Sequence, residues 1–186
     1  MRRGFKSEAH AIAREVRAEL GVGLAAPLDP WRLAKFLEIP LVPLSDFATD
    51  APGATRMLLR QHRAAFSAVT VFYGCERVIV YNDGHSRARQ ASDIAHELAH
   101  ALLHHPAKPA FDSDGQRNWD SDLEREAEWL GGALLISDEA AIAIVRRQLS
   151  DDAAAEEFCV SQSMLTFRLR VTGARVRVTR MARFRN

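Results

Sequence analysis

Two histidines and a glutamate in one short segment have the residue types and spacing of a metal-dependent hydrolase site. His96 and His100 stand four residues apart in the segment HELAH, so on a helix both imidazoles lie on one face, a turn apart. Such a pair suits Zn²⁺, which takes three protein ligands in catalytic sites. Glu97 is turned roughly 100° from His96 about the helix axis. We therefore expect Glu97 not to bind the metal but to take a proton from the attacking water and pass it to a leaving amine.

A third metal ligand has to come from another segment, and the acidic run SDLEREAEWL offers three glutamates. Glu124 and Glu128 lie one turn apart on a shared helix face, whereas Glu126 points to the other side. The apolar side of this helix flanks Glu124 and Glu128 more closely than Glu126. We predict Glu124 as the ligand and Glu128 as a carboxylate that orients a ligand histidine through its free ring N–H. Glu126 is expected on an ordinary charged surface.

Apolar periodicity and end signals predict an α+β fold in which N-terminal helices precede a small antiparallel sheet and the HELAH helix. The HELAH helix is capped by Ser86 and stops by Pro106. The other predicted helices cover residues 5–20, 30–37, 120–136 and 137–149, with a weaker helical stretch from 151. The predicted strands are the proline-bounded edge segment IPLVPL and a hairpin of residues 64–72 and 77–82 joined by YGCE. Residues 45–55 and 106–119 are predicted loops.

The composition and net charge limit the classes of protein to which this chain can belong. The chain has 186 residues, 47% of them hydrophobic, and a formal net charge of +1, values typical of an ordinary globular protein. Its cysteines, Cys75 and Cys159, have no second pair to make a disulfide framework, and Cys75 is expected to be a bystander thiol. No apolar run is long enough for a bilayer. We expect a cytoplasmic protein with no membrane partner.

Charge is unevenly distributed along the chain. All 24 acidic residues lie at or before Glu157, and seven arginines follow it. We divide the chain into a zinc peptidase domain, residues 1–150, and a basic helical extension packed on it, residues 151–186. Such asymmetry raises nucleic acid as a partner, with Arg168, Arg170, Arg175 and Arg177 as candidate contacts. The alternative is a solvated arginine-rich end that pairs with the acidic body.

The start of this extension also has a helix-turn-helix pattern. Apolar residues between 154 and 169 are interrupted near 159–161, and Ser161 is placed to cap the second helix. Arg168 and Arg170 are expected among the exposed residues of that helix. A DNA-reading module, a substrate- or nucleic-acid-sensing surface packed on the core, and plain scaffold are the alternatives for this segment.

Three further residues are candidates for oxyanion or substrate contacts. Tyr81 and His85 lie near the strand end that leads to the HELAH helix, where either side chain could stabilise an oxyanion. His104 follows His100 by one turn and could contact substrate or substitute as a ligand, although a histidine at a helix C-terminus is also favoured by the helix dipole.

The segments HELAHALLHH and EREAEWLGGALLIS together resemble the ImmA/IrrE family of bacterial metallopeptidases. The opening, GFKSEAHAIAREVRAELG followed by APLDPWRLAKFLEIPLVPLS, is similar to that family too, so the resemblance covers residues 4 to about 180. It implies a minimal zincin-like metallopeptidase with zinc on His96, His100 and Glu124, and Glu97 as the catalytic residue. The chain departs from the family pattern at Glu128, which replaces Asn or Asp, and at Ser137, which replaces Pro.

The resemblance also implies a narrow biological role. Family members cleave a partner repressor with a helix-turn-helix domain and thereby switch on a stress, mobile-element or antiphage response, and some are stimulated by single-stranded DNA. We therefore expect a helix-turn-helix transcriptional repressor as protein substrate and single-stranded DNA as a second partner. The alternative is a metal-binding, DNA-binding regulator without proteolytic activity.

Overall fold

The computed structural model describes residues 1–74, 76–106 and 120–183. Within these ranges the helices are α1 (Phe5–Glu19), α2 (Pro30–Phe36), α3 (Pro52–Arg56), α4 (Arg87–Leu102), α5 (Ser121–Leu135), α6 (Asp138–Arg146), α7 (Asp151–Glu157), α8 (Gln162–Val171) and α9 (Ala174–Arg183). The strands are β1 (Leu41–Pro43), β2 (Ala68–Tyr73) and β3 (Glu76–Tyr81). The fold is α+β, as predicted, and it is mostly helical. The predictions made for Cys75 and for a loop at 106–119 fall, apart from Pro106, outside the described residues.

Helix starts follow the capping signals in the sequence. The Asp29 carboxylate accepts from the Trp31 N–H at the start of α2, and Ser86 caps α4 as predicted. Ser137 accepts from the Ala140 N–H and begins α6. Because a serine at this position satisfies a backbone donor that proline would leave open, the replacement of the family's Pro gives α6 a side-chain cap.

The sheet is mixed, and the prediction of an antiparallel sheet is wrong for one of its two pairings. β2 and β3 form the expected antiparallel hairpin, but β1 runs parallel to β3, with Leu41 opposite Ile79. The strand order is β1-β3-β2, which confirms β1 as an edge strand. Parallel pairing needs a long crossover, which the segment between β1 and β2 provides.

That crossover is helical, and the prediction of a loop over residues 45–55 is wrong. A 3₁₀ turn covers Leu44–Ala48, α3 follows, and a π-helical turn covers Met57–Gln61. Pro52 occupies the first turn of α3, where its missing N–H costs nothing. The proline is therefore a helix start at this position and not a loop residue.

Two apolar clusters form the core. The first joins α1, α2, β3, α4 and α5, and the second joins the end of α5 to α6, α7 and α8. Phe158, Val160 and Leu165, from the α7–α8 segment, are buried in the second cluster. Residues on both sides of position 150 therefore share one core. In the described parts of the chain, no helix is both long and apolar enough to cross a bilayer.

Candidate metal centre and active site

Helices α4 and α5 lie close together beside His96. A Cβ added to Gly131 would lie 3.2 Å from the Ala95 carbonyl carbon and oxygen and from the His96 backbone nitrogen. A Cβ at this position would fit only if the backbone of α4 moved away by a few tenths of an ångström, so glycine suits this close approach. Glu124 precedes Gly131 by seven residues, two helical turns, and so lies on the same face of α5. The glycine contact thus turns Glu124 towards α4.

Three side chains converge where these faces meet. The Nε2 atoms of His96 and His100 are 3.1 Å apart, and Glu124 Oε2 lies 3.2 Å and 3.6 Å from them. Ligands held 2.0–2.2 Å from a tetrahedral zinc ion lie about 3.3 Å from one another. Among the described residues, these three form the group with metal-binding geometry. Their types and spacing fit a zinc ion with one coordination position left open.

The histidines and the carboxylate of this cluster shift one another's pKa values in opposite directions. Burial acts to lower the pKa of His96, but the hydrogen bond to Glu124 and the negative charges of Glu97, Glu124 and Glu128 outweigh it and raise that pKa. Hydrogen bonds from His100 and His96 hold the pKa of the Glu124 carboxyl well below its usual range. The centre is therefore built to hold positive charge between two imidazoles and a carboxylate.

Glu97 lies on α4 between the two histidines, and a residue of the sheet forms a hydrogen bond to it. The Thr70 hydroxyl, on β2, donates to Glu97 Oε2 at 2.5 Å. Glu97 is half-buried, and it is not part of the three-residue group, in keeping with an acid–base role beside the metal ligands. Nothing in the sequence distinguished Thr70 from the other polar residues of the hairpin.

His105 and Glu126 are two further residues near the centre that the sequence reasoning missed. His105 Nδ1 lies 2.8 Å from His100 Nδ1, and His105 Nε2 lies 3.9 Å from Glu126 Oε2. Glu126 is 2% exposed and accepts from the backbone N–H and the Nε–H of Arg2. The expectation that Glu126 belongs to a charged surface is therefore wrong, because α5 is covered on that side by the N-terminal segment.

The match to a known family decides what this centre belongs to. The family model Peptidase_M78, described as the IrrE N-terminal-like domain, matches residues 51–170. The matched region contains β2, β3, α4 and α5, and with them all four residues of the centre. The chain belongs to the IrrE-like peptidase family.

Membership confirms the resemblance read from HELAHALLHH and EREAEWLGGALLIS and makes peptide hydrolysis the expected chemistry of this IrrE-like protein. No curated protein and no solved structure matches the chain.

The other predicted residues of this IrrE-like peptidase lie outside the three-residue group. Glu128 is exposed and acts on His96 through its charge. Tyr81 stands edge-on to Trp31, with ring centroids 6.3 Å apart. His104 is exposed and has a positive φ of 51°, so α4 has ended before it.

Both ring nitrogens of His85 already have partners. Its Nδ1 lies 3.3 Å from Asp93 Oδ2, and its Nε2 lies 2.8 Å from the Arg63 carbonyl oxygen. His85 therefore has no free ring nitrogen to stabilise an oxyanion.

The four arginines predicted to contact nucleic acid have different surroundings. Arg168 is 0% exposed, and its Nε donates to the Ile136 carbonyl, so the prediction that it is exposed is wrong. Gly132 makes room for it, because a Cβ there would meet Arg168 Cδ at 3.2 Å.

Arg170 is exposed and forms no ion pair with the residues described, whereas Arg175 and Arg177 pair with acidic residues from the part of the chain that ends at Glu157. Their partners are Asp151 at 2.9 Å and Asp138 at 3.2 Å. The arginine-rich end is thus partly neutralised by the acidic part of the chain, as the alternative interpretation expected.

Proposed function

We propose that this protein is a zinc-dependent endopeptidase in which His96, His100 and Glu124 hold the metal and Glu97 is the general base and acid. The observation that carries the proposal is the convergence of two Nε2 atoms and a carboxylate oxygen from α4 and α5 at separations of 3.1–3.6 Å. Separations of this size suit a tetrahedral zinc ion.

In the proposed mechanism Glu97 moves the protons. A zinc ion held by His96, His100 and Glu124 would supply Lewis-acid polarisation of the scissile carbonyl and of the attacking water. Glu97 takes a proton from that water and returns it to the leaving amine. Thr70 holds Oε2, and Oε1 has no protein hydrogen-bond partner among the described residues, so Oε1 is the oxygen assigned to this transfer.

We propose that the substrate binds as an extended segment along β2. This strand lies at the edge of the sheet and carries Thr70, the residue bonded to Glu97. Val71 and Phe72 on the same strand are 47% and 39% exposed. An edge strand offers backbone donors and acceptors to a peptide, and exposed apolar side chains offer contacts for its side chains. Such a peptide would lie next to the proposed base.

The natural substrate in this proposal is a helix-turn-helix transcriptional repressor, whose cleavage switches on a stress, mobile-element or antiphage response. Support comes from the resemblance to the ImmA/IrrE peptidases. Single-stranded DNA is proposed as the stimulating ligand, bound by exposed arginines of the C-terminal helices such as Arg170. An extended, cleavable segment between folded parts of a repressor suits an edge-strand site.

The decisive experiment compares wild-type protein with the Glu97→Gln variant. Each is loaded with zinc and incubated with the helix-turn-helix repressor encoded nearest to its gene, and products are identified by mass spectrometry. We expect wild-type protein to give one or a few discrete cuts and Glu97→Gln to give none, while both bind one zinc per chain. Chelation of zinc from the wild-type protein serves as the second control.

Two results would contradict the proposal. Cleavage by Glu97→Gln at the wild-type rate would show that another group is the base. Unchanged repressor inactivation in cells that carry Glu97→Gln would favour a regulator that acts by binding and not by proteolysis.

A further inference from the structure

We propose that His105 is a positioning residue for the ligand His100, and that Glu126 selects the tautomer in which His105 does this. The inference deepens the proposed function, because it rests on the assignment of His100 as a zinc ligand.

Helix α4 ends in a Schellman motif, in which the chain turns back over the last helical turn. The His104 N–H donates to the Ala101 carbonyl and the His105 N–H donates to the His100 carbonyl, with His104 in the left-handed conformation at φ 51°. This hydrogen-bond pair is the signature of the motif. It places the residue after the left-handed position directly over the residue that accepts its N–H, here His105 over His100.

The same motif closes four other helices in the described part of the chain, which provide an internal comparison. The residue in the position of His105 is Val22 after α1, Ile39 after α2, Leu149 after α6 and Val160 after α7. Each of these is apolar and packs against one of the two core clusters, as is usual for this position. At α4 alone among these five ends the position holds a histidine, whose side chain is 7% exposed. Helix closure does not explain a buried polar ring there.

The ring contacts show what the histidine does there. His105 Nδ1 and His100 Nδ1 are 2.8 Å apart, a hydrogen bond that needs one ring to donate and the other to accept. His100 Nε2 faces His96 and Glu124. A ligand histidine binds metal through an unprotonated nitrogen and donates its other N–H to a neighbouring acceptor. In this centre the acceptor is His105 Nδ1.

The negative charge of Glu126 favours a proton on one of the two ring nitrogens of His105. Glu126 Oε2 lies 3.9 Å from His105 Nε2, and the carboxylate is itself held by the backbone N–H and the side chain of Arg2. The 3.9 Å separation is longer than a hydrogen bond, so the carboxylate acts through its negative charge, which favours an N–H over a lone pair at His105 Nε2. His105 Nδ1 is then an acceptor, His100 carries its proton on Nδ1, and His100 Nε2 keeps its lone pair for the metal.

The experiment measures zinc affinity by competition with a chromophoric chelator, in wild-type protein and in three variants. His105→Leu restores the apolar residue seen at the other four helix ends, so it is expected to fold, with the zinc-free protein at least as thermally stable as wild type. It is expected to bind zinc roughly 10- to 100-fold more weakly, the usual cost of losing a partner of a ligand histidine. His105→Asn puts an acceptor oxygen in the place of Nδ1 and is expected to restore affinity to within a few-fold. The matched control, His62→Leu, removes an exposed histidine and is expected to leave affinity unchanged.

A second readout is the tautomer of His100 in the zinc-free wild-type protein, measured by long-range ¹H–¹⁵N correlation spectra of labelled histidines. We expect the Nδ1–H tautomer at His100 and the Nε2–H tautomer at His105, and we expect His105→Leu to mix the two tautomers at His100. Wild-type zinc affinity in His105→Leu, or an Nε2–H tautomer at His100 in the wild-type protein, would overturn the proposal.

Neither readout depends on peptidase activity. If the wild-type protein bound zinc normally but cleaved no repressor, the proposed function would fail while the role of His105 stood. If it bound no zinc, the metal assignment would fail, and the tautomer spectra would still decide whether His105 accepts from His100.

Discussion

The Thr70 hydroxyl donates to Glu97 Oε2 across the contact between β2 and α4, at 2.5 Å. Because both groups are half-buried, the bond holds the carboxylate in one orientation and joins the edge of the sheet to the proposed base. The strand proposed to bind substrate and the group proposed to move the protons are therefore held in a fixed relation by one side chain.

Replacing Thr70 by Val removes this hydroxyl and keeps the shape of the side chain. A hydrogen bond to a charged group contributes about 1.5–3 kcal/mol, so we expect the rate constant for repressor cleavage to fall roughly 10- to 100-fold. Zinc affinity should not change, because the Thr70 hydroxyl donates to Glu97 and not to one of the proposed zinc ligands. Thr70→Ser, which keeps the hydroxyl, is the matched control. Equal single-turnover rates for Thr70→Val and wild type would show that Glu97 is oriented by other contacts.

Replacing Gly131 by Ala tests the close approach of α4 and α5. The new Cβ would meet Ala95 and His96 backbone atoms at 3.2 Å, and overpacking of this kind costs about 1–3 kcal/mol. We expect lower stability in urea unfolding and weaker zinc binding, since His96 is displaced from Glu124. In Gly53→Ala the added Cβ meets nothing within 4 Å, so this control should keep wild-type zinc affinity. A Gly131→Ala variant with wild-type stability and affinity would contradict the helix packing described above.

Zinc removal should destabilise the fold, because the proposed ligands join two core helices. A ligand that binds only the folded protein at 1,000 times its Kd stabilises it by about 4 kcal/mol. We expect a chelator to lower the melting temperature of wild type and of Glu97→Gln by the same amount, and to have little effect on Glu124→Gln. Differential scanning calorimetry measures all three. A zinc-dependent shift retained in Glu124→Gln would exclude Glu124 as a ligand.

The surroundings of the C-terminal arginines predict which of them bind single-stranded DNA. Arg170 is exposed and unpaired among the described residues, whereas Arg177 already pairs with Asp138. Arg170→Ala should weaken binding of an oligonucleotide. The slope of log affinity against log salt concentration should fall by about one, the value expected for the loss of one phosphate contact. Arg177→Ala should have a smaller effect. Fluorescence anisotropy over a range of salt concentrations measures both, and equal effects of the two variants would contradict this ranking.

Local signals in the sequence were enough for most helices and for the placement of the proposed ligands. Ser86 and Pro30 mark helix starts because capping depends only on neighbouring residues. The four-residue spacing of His96 and His100 sets their common face, and Glu124 follows from the periodicity of its own helix. Each of these inferences depends on residues within a single helix.

The predictions that failed depend on contacts between distant parts of the chain. Glu126 is buried because Arg2, 124 residues away, covers it, and Arg168 is buried because Gly132 leaves space for its side chain. The parallel pairing of β1 with β3 likewise depends on where the crossover returns the chain. The periodicity of residues within a single helix or strand does not predict which distant segments will pack against it.

The second apolar cluster has a practical consequence for work on this protein. Its members come from α5 and α6 and also from α7 and α8, and Arg168 Nε donates to the Ile136 carbonyl between them. A recombinant fragment cut after Leu149 would present the uncovered apolar side of α6 to water and is expected to aggregate. Biochemical dissection of the metal centre therefore calls for point substitutions in the intact polypeptide and not for truncation.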